Sequence, residues 1–388
     1  MSRRNKAFIW FSIFSAMLTA QMIMPVIGLY STVVLGADPF TVGLVYGSAA
    51  VTAFAFRIPA ALVSGRIGQK KAMVSGLGAT SLGYVVYGFA STADHMILGS
   101  LVRGLGSAFF FPAALTTVYE ESSNGRGGAK SLGYMLTGPA MGMAVGPAVG
   151  AVSLAVAGYR PTFFAAAFLS LAGLATVSMS RSHEAENGNA SFADLKNPRF
   201  TLLLASRFLI NYVTGTVAAF LPLMANNVLG YDEPLILILF AAAAVTNLLS
   251  RIIMGSVSEK MGAANYVALG SFIVSASAAF FIFGDEALTW AGMLLYGYGM
   301  GIFVLGSIYV GGMIVQPAAR TLGFAMMTLM IDLGSSVGNF FSGLLLTLGG
   351  FTEVFAVTAA VGFAGCAIDL VSRRIPLPVE TRRQSSPA

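Results

Sequence analysis

Asp332 lies inside an apolar run, residues 321–346, about eleven residues or ~16 Å of helix from where that run begins. Four arginines, Arg57, Arg103, Arg207 and Arg251, also fall within long apolar runs. An ionised side chain at the centre of a membrane helix costs about 2.5–3.5 kcal/mol on insertion scales, so each of these residues needs a partner or a task. Low dielectric favours the neutral carboxyl group, whereas a neighbouring arginine favours the carboxylate. A group held between those influences takes and releases protons. The chemistry expected of Asp332 is therefore proton carriage, with Arg57 or Arg103 as a movable counter-charge. A permanent Asp332–Arg57 pair, or a helix cap at Gly334, is the plainer alternative.

Other chemistries find little support. Cys366 is the single cysteine and cannot form an intrachain disulfide, and His95 and His183 are the only histidines. The Met326, Met327 and Met330 cluster offers thioethers that suit copper(I), but no histidine or second cysteine among the runs joins it. No GxxxxGK(S/T) loop, GxSxG turn or HExxH pair occurs. Neither an enzyme nor a metal site is expected. Across the 388 residues, 56% are hydrophobic and only 10% charged, with a mean hydropathy of +0.79. A soluble domain carries about 25% charged residues. That contrast excludes a cytosolic enzyme, a disordered scaffold, a coiled coil and a nucleic-acid module, in spite of a formal net charge of +6.

The elements that hold the buried charges must then be membrane helices, each needing roughly 20 apolar residues to cross about 30 Å of hydrocarbon. Twelve such runs are found, at about 7–34, 41–63, 72–92, 96–119, 131–155, 161–180, 200–228, 234–256, 264–284, 287–311, 321–346 and 353–372. The first is too long for a signal h-region and is expected to stay in place as a span. Placing the N-terminus inside puts 17 of the 22 basic residues in cytoplasmic segments, which sets both termini in the cytoplasm. A multi-pass protein of the plasma (inner) membrane is expected.

The chain also repeats itself. Leu35-Gly36-Ala37-Asp38 returns as Leu229-Gly230-Tyr231-Asp232, Arg57-Ile58 as Arg251-Ile252, and Val63-Ser64 with Arg66 and Gly68 as Val257-Ser258 with Lys260 and Gly262. All three matches share a spacing of 194 residues. The expected organisation is an N-terminal bundle of six helices at 1–180, a polar cytoplasmic linker at 181–199, and a C-terminal six-helix bundle at 200–388 with a short tail. The predicted fold class is an all-α membrane protein of two pseudo-symmetric bundles.

Between the second and third spans, Ala61-Leu-Val-Ser-Gly65-Arg66-Ile-Gly68-Gln-Lys70-Lys71 resembles the GxxxD(R/K)xGxx(R/K) loop motif of the major facilitator superfamily, with Gly65 in place of the usual aspartate. Its second copy, Gly255-Ser-Val-Ser-Glu259-Lys260-Met-Gly262, keeps the acid as Glu259. Within the fifth span, Gly142-Met-Ala-Val-Gly146-Pro147-Ala-Val-Gly150-Ala151 resembles gxxxGPxxGG, a motif of the proton-coupled antiporters in that superfamily. Glycines four residues apart clear one helix face for a close neighbour, and Pro147 removes a backbone donor and permits a bend. Gly334 and Gly338 form a comparable face in the eleventh span. The RxxQGxG pattern typical of the fourth span is altered: Ser100 stands where the arginine belongs, and Arg103 where the glutamine does.

The resemblance implies the major facilitator fold, alternating access, and a cavity lined by spans 1, 4, 7 and 10. Candidate lining residues are Gln21, Arg207, Asn211, Thr214, Met293, Tyr296 and Met300, of which Arg207, Asn211 and Thr214 share one helical face. Candidate inner-gate residues are Arg66, Gly68, Lys70, Lys71, Glu120, Glu121, Gly255, Glu259, Lys260 and Gly262. The expected activity is proton-coupled efflux of small amphipathic molecules, energised by a proton gradient with no cofactor. The partners are a small-molecule substrate, protons and the lipid bilayer, with no nucleic acid, and the protein is expected to be monomeric. Uptake of a nutrient or metal ion, and a transport-inactive receptor, are the rival readings.

Overall fold

The computed structural model describes residues 3–123, 128–180 and 192–375. Within them the chain forms thirteen α-helices and no strand. They are α1 (Arg3–Leu29), α2 (Pro39–Ile67), α3 (Gln69–Phe89), α4 (Ala93–Ser123), α5 (Gly128–Met135), α6 (Thr137–Ala157), α7 (Tyr159–Met179), α8 (Pro198–Asn227), α9 (Glu233–Met261), α10 (Ala263–Phe280), α11 (Glu286–Ile314), α12 (Arg320–Leu348) and α13 (Phe351–Ser372). Because α5 and α6 are two parts of one crossing interrupted at Leu136, twelve stretches are long and apolar enough to span a membrane. Large apolar side chains such as Phe168, Val156, Phe340 and Leu348 stay exposed on these helices. In water such surface is a liability; in hydrocarbon it costs nothing.

Short joints between helices are set by single residues. Asp38 caps α2 by accepting from the Phe40 and Thr41 amides, and Asp232 caps α9 by accepting from the Leu235 amide. Gly68 ends α2 and begins α3, and Gly262 does the same for α9 and α10, at φ of +90° and +81°. A side chain at either position would strain the backbone, which is why both copies of the loop motif carry glycine there. The expected linker falls partly on residues 181–191, outside the described residues, and resumes as a 3₁₀ turn at Phe192–Leu195.

The chain divides into two compact units. One comprises residues 1–121, 135–190 and 317–325; the other comprises 122–134, 191–316 and 326–388. Each unit therefore takes in a short segment from within the other half of the sequence. In the first unit α1 packs on α6 and α7, and α3 on α7. Its core is aromatic: Tyr30 meets Phe163 edge-on at 5.4 Å between ring centres, Tyr87 meets the same ring at 5.5 Å, and the Tyr30 hydroxyl donates to the Ala90 carbonyl at 2.7 Å. In the second unit α13 packs on α8 and α10, and α11 on α9 and α10.

The 194-residue repeat reappears in these contacts. A Cβ added at Gly104 of α4 would strike the Ala49 carbonyl and Thr52 of α2; one added at Gly297 of α11 would strike the Ala243 carbonyl and Thr246 of α9. Gly76 lies against Phe110, and Gly270 against Phe303. Ala49 and Ala243, Thr52 and Thr246, and Gly76 and Gly270 are each 194 apart. The same packing solution is thus built twice.

Candidate functional site

The glycine faces singled out in the sequence are helix seams. Along α6, a Cβ at Gly142 would stand 2.6 Å from the Phe14 carbonyl oxygen of α1, and one at Gly146 would stand 2.8 Å from that of Leu18. Gly150 faces the Met22 carbonyl next in line. Backbone meets backbone for three turns, with Pro147 inside the stretch. In the second unit Gly334 of α12 lies against the Phe208 carbonyl of α8, and Gly338 against that of Tyr212. Phe208 and Tyr212 are 194 residues after Phe14 and Leu18, so the two seams are copies. They differ at the end. Where α6 has Gly150 against Met22, α12 has Ser342, whose hydroxyl pairs with that of Thr216 at 2.7 Å.

α1 carries a local break above its seam. Pro25 lies inside the helix, and the Tyr46 hydroxyl of α2 enters the ladder just beyond it, accepting from the Gly28 amide at 2.9 Å and donating to the Met24 carbonyl at 2.5 Å. The helix then widens into a π-helical turn at Tyr30–Val34. Tyr46 also belongs to the surroundings of Arg103. That guanidinium interacts with the hydroxyls of Tyr87, Tyr84 and Tyr46, contributed by α3 and α2. Ser100, one turn earlier on α4, shares the Tyr87 hydroxyl at 2.7 Å. The displaced arginine of the fourth span therefore reaches the environment that Ser100 also faces, as helical periodicity predicts. Arg57 is buried at 5% exposure on α2. Asp332 is half-buried on α12, and Ser335 donates back to carbonyls of its own turn, Ile331 and Asp332.

The candidate lining residues lie on α1, α8 and α11. Thr214 of α8 meets α11, where its hydroxyl contacts the Met300 sulfur at 3.6 Å and the hydroxyl of Tyr296. Arg207, two turns before Thr214, meets the same helix at Ser307, two turns after Met300. At 1% exposure it turns into its own unit, where it donates to the Ser307 hydroxyl and, at 3.4 Å, to the Met327 carbonyl. Asn211 donates to the Arg207 carbonyl at 2.7 Å and packs on Gly334. Met293 is fully buried, and Gln21 lays its Cβ against Gly146. Arg207 and Thr214 thus both face α11, the guanidinium held by a hydroxyl and a carbonyl and the Thr214 hydroxyl placed beside Met300 and Tyr296.

Sequence reasoning passed over Asp369, which sits three residues from the end of α13 and reads linearly as an interface residue. It is 1% exposed. Its Oδ2 accepts from the Ser206 hydroxyl of α8 at 2.7 Å, and the carboxyl group interacts with Ser271 of α10 and with Arg207. The available signal was the position of Ser206 beside Arg207 on α8.

Among the gate candidates, Lys70 donates to the Ser180 carbonyl at 2.7 Å, and Glu121, fully buried, accepts from the Asn5 amide at 2.6 Å. Arg66 and Lys71 are exposed. Glu120 pairs with Arg320, the first residue of α12, at 3.7 Å, and the same guanidinium lies 5.2 Å from the Tyr119 ring centre. Arg320 was not among the expected partners. Thr321 follows it and accepts from Gln69 at 3.2 Å and from Thr116 at 3.2 Å. The side chains of Gly255, Glu259 and Lys260 lie outside the described residues.

A helical membrane chain built as two copies of one bundle, each with a glycine seam and a one-glycine joint, fits the sequence profile of the Major Facilitator Superfamily, which matches residues 9–312. The chain belongs to the Major Facilitator Superfamily. It is accordingly a transporter and not an enzyme. Among similar proteins, the multidrug resistance protein MdtG of Proteus mirabilis (strain HI4320) is 26% identical, with 96% of this chain and 97% of that protein covered. An uncharacterized MFS-type transporter of Methanocaldococcus jannaschii is 24% identical, with 92% and 95% covered. The crystal structure of the human organic anion transporter MFSD10 (TETRAN) shares the fold with a TM-score of 0.79 at 13% identity, over 95% of this chain and 99% of that one.

Proposed function

We propose that this facilitator exports small amphipathic molecules across the plasma (inner) membrane in exchange for protons, with both termini cytoplasmic. The observation that carries the reading is the seam of α6 on α1, where Gly142, Gly146 and Gly150 let two backbones meet around Pro147. A seam without side chains tolerates sliding and bending, which a transport cycle needs. The similarity to MdtG, named a multidrug resistance protein, supports the direction of transport and a broad substrate class. Met300, Thr214 and Tyr296 provide a soft surface with a hydroxyl rim, suited to solutes of varied shape.

In this reading Asp332 carries the coupling proton, and Arg57, buried, and Arg103, half-buried, are cations of the first unit that serve it. Glu120 and Arg320, steadied by Tyr119, form the inner latch. The test is reconstitution in proteoliposomes with an imposed pH gradient and a lipophilic cationic dye as substrate. Wild-type protein is expected to move the dye against its gradient and to alkalinise the proton-rich side, whereas Asp332→Asn is expected to allow only downhill exchange. Gradient-driven accumulation by Asp332→Asn at the wild-type rate refutes the assignment of Asp332, and dye movement indifferent to pH in the wild type refutes proton coupling.

A further inference from the structure

Asp369, remote in sequence from every motif above, sits within the second unit among groups from α8 and α10. Its Oδ2 accepts from Ser206 at 2.7 Å; its Oδ1 is equally buried and accepts no hydrogen bond. The hydroxyl of Ser271 lies beside the carboxyl group but is directed to the Val267 and Ala268 carbonyls, at 3.2 and 3.1 Å. From α8, Arg207 is the charged residue that faces the carboxyl group; on α13 itself Cys366 faces it one turn away, its thiol directed to the Ala268 carbonyl at 3.7 Å. Arg207 does not hydrogen-bond to Asp369. It is occupied by Ser307 of α11 and the Met327 carbonyl of α12.

We propose that Asp369 is a proton-binding site built into the second unit, with Arg207 as the group that answers its change of charge. A buried carboxylate oxygen without a donor is costly, and a neutral carboxylic acid removes that cost. When Asp369 is neutral, Arg207 remains with Ser307 and Met327 and ties α8 to α11 and α12. When Asp369 loses its proton to water, Oδ1 becomes an acceptor beside a guanidinium that carries five N–H groups, of which two are engaged. Turning the guanidinium toward Oδ1 releases the Met327 carbonyl, which lies on the helix that bears Asp332. Protonation at Asp369 is thereby linked to the contacts of α12. The place of this site in the cycle rests on the proton-coupled reading above; the site itself does not.

The test is infrared difference spectroscopy of the full chain in lipid nanodiscs. A pH titration from about 5 to 9 brackets the range in which buried carboxyl groups exchange protons. Wild-type protein is expected to show a carboxylic-acid carbonyl band that disappears with rising pH; Asp369→Asn is expected to lack it, and Asp332→Asn to retain it. Ser206→Ala, which removes one hydroxyl, is expected to keep the band and shift its frequency, a signature that a folding defect in Asp369→Asn does not mimic. Superimposable wild-type and Asp369→Asn titrations together with an unshifted band in Ser206→Ala overturn the proposal. If the band behaves as expected while wild-type dye movement ignores pH, the site stands and the coupling reading falls.

Discussion

The carboxylate of Asp38 shows how much one residue settles at the start of a helix. It accepts from the Thr41 hydroxyl at 2.6 Å and from the Phe40 and Thr41 amides, and the Thr41 hydroxyl, followed by those amides, holds its pKa below the ordinary carboxylate value. A depressed folded-state pKa contributes stability above the unfolded value that is lost as pH falls through the folded one. Fraying of the first turn of α2 is therefore expected only below about pH 4, read by amide hydrogen exchange at Phe40 and Thr41. Asp38→Asn is expected to keep the cap and abolish that pH dependence. Removing the hydroxyl pair of the second seam by Ser342→Ala is expected to cost about 0.6 kcal/mol, the average for hydrogen bonds between membrane helices. The reciprocal change, Gly150→Ser, drives a Cβ into the Met22 carbonyl and is expected to cost about 1–3 kcal/mol. Melting curves in detergent rank the two, and a milder loss for Gly150→Ser contradicts the seam.

At the scale of elements, the start of α12 is held by an ion pair, a ring and two hydroxyls. Glu120 and Arg320 are half-buried and Tyr119 is buried, so the about 0–1 kcal/mol of a surface ion pair and the about 0.5–1 kcal/mol of an exposed cation–ring contact are lower figures here. Arg320→Ala removes both, and the labelling rate of a thiol at Thr116→Cys, in a Cys366→Ser background, is expected to rise roughly 5- to 30-fold for a loss of about 1–2 kcal/mol. An unchanged rate excludes Arg320 from the latch. The twelve spans and both glycine seams were legible because each depends on a run or spacing within one helix, whereas Gly68 and Gly262, read as gate residues, are positive-φ joints between helices. Asp369, Arg320 and the tyrosines around Arg103 were not. Their roles come from helices far apart in sequence, and a linear count of depth treats Asp369 as a surface residue although Ser206 and Ser271 enclose it. Periodicity shows that Arg207 and Thr214 share a face of α8, but it does not show which residues of α11 meet them, Ser307 and Met300.

For the whole molecule, the sequence repeat of 194 residues predicted two bundles, and the structure divides the chain into two compact units that each include a segment from beyond the midpoint. Residues 317–325 belong with the first unit through Gln69, Thr116 and Glu120. Co-expression of residues 1–190 and 191–388 as separate chains is expected to yield a complex that co-purifies, and Arg320→Ala combined with Thr321→Ala is expected to weaken its recovery. Halves that never co-purify contradict the exchange of segments. The unequal ends of the two seams carry a further consequence. One seam ends in bare backbone and the other is pinned by Thr216 and Ser342, so the two halves do not share one compliance. Whatever displacement the cycle demands will be taken up first where nothing is fastened, and a protein drawn from a symmetric blueprint will flex lopsidedly.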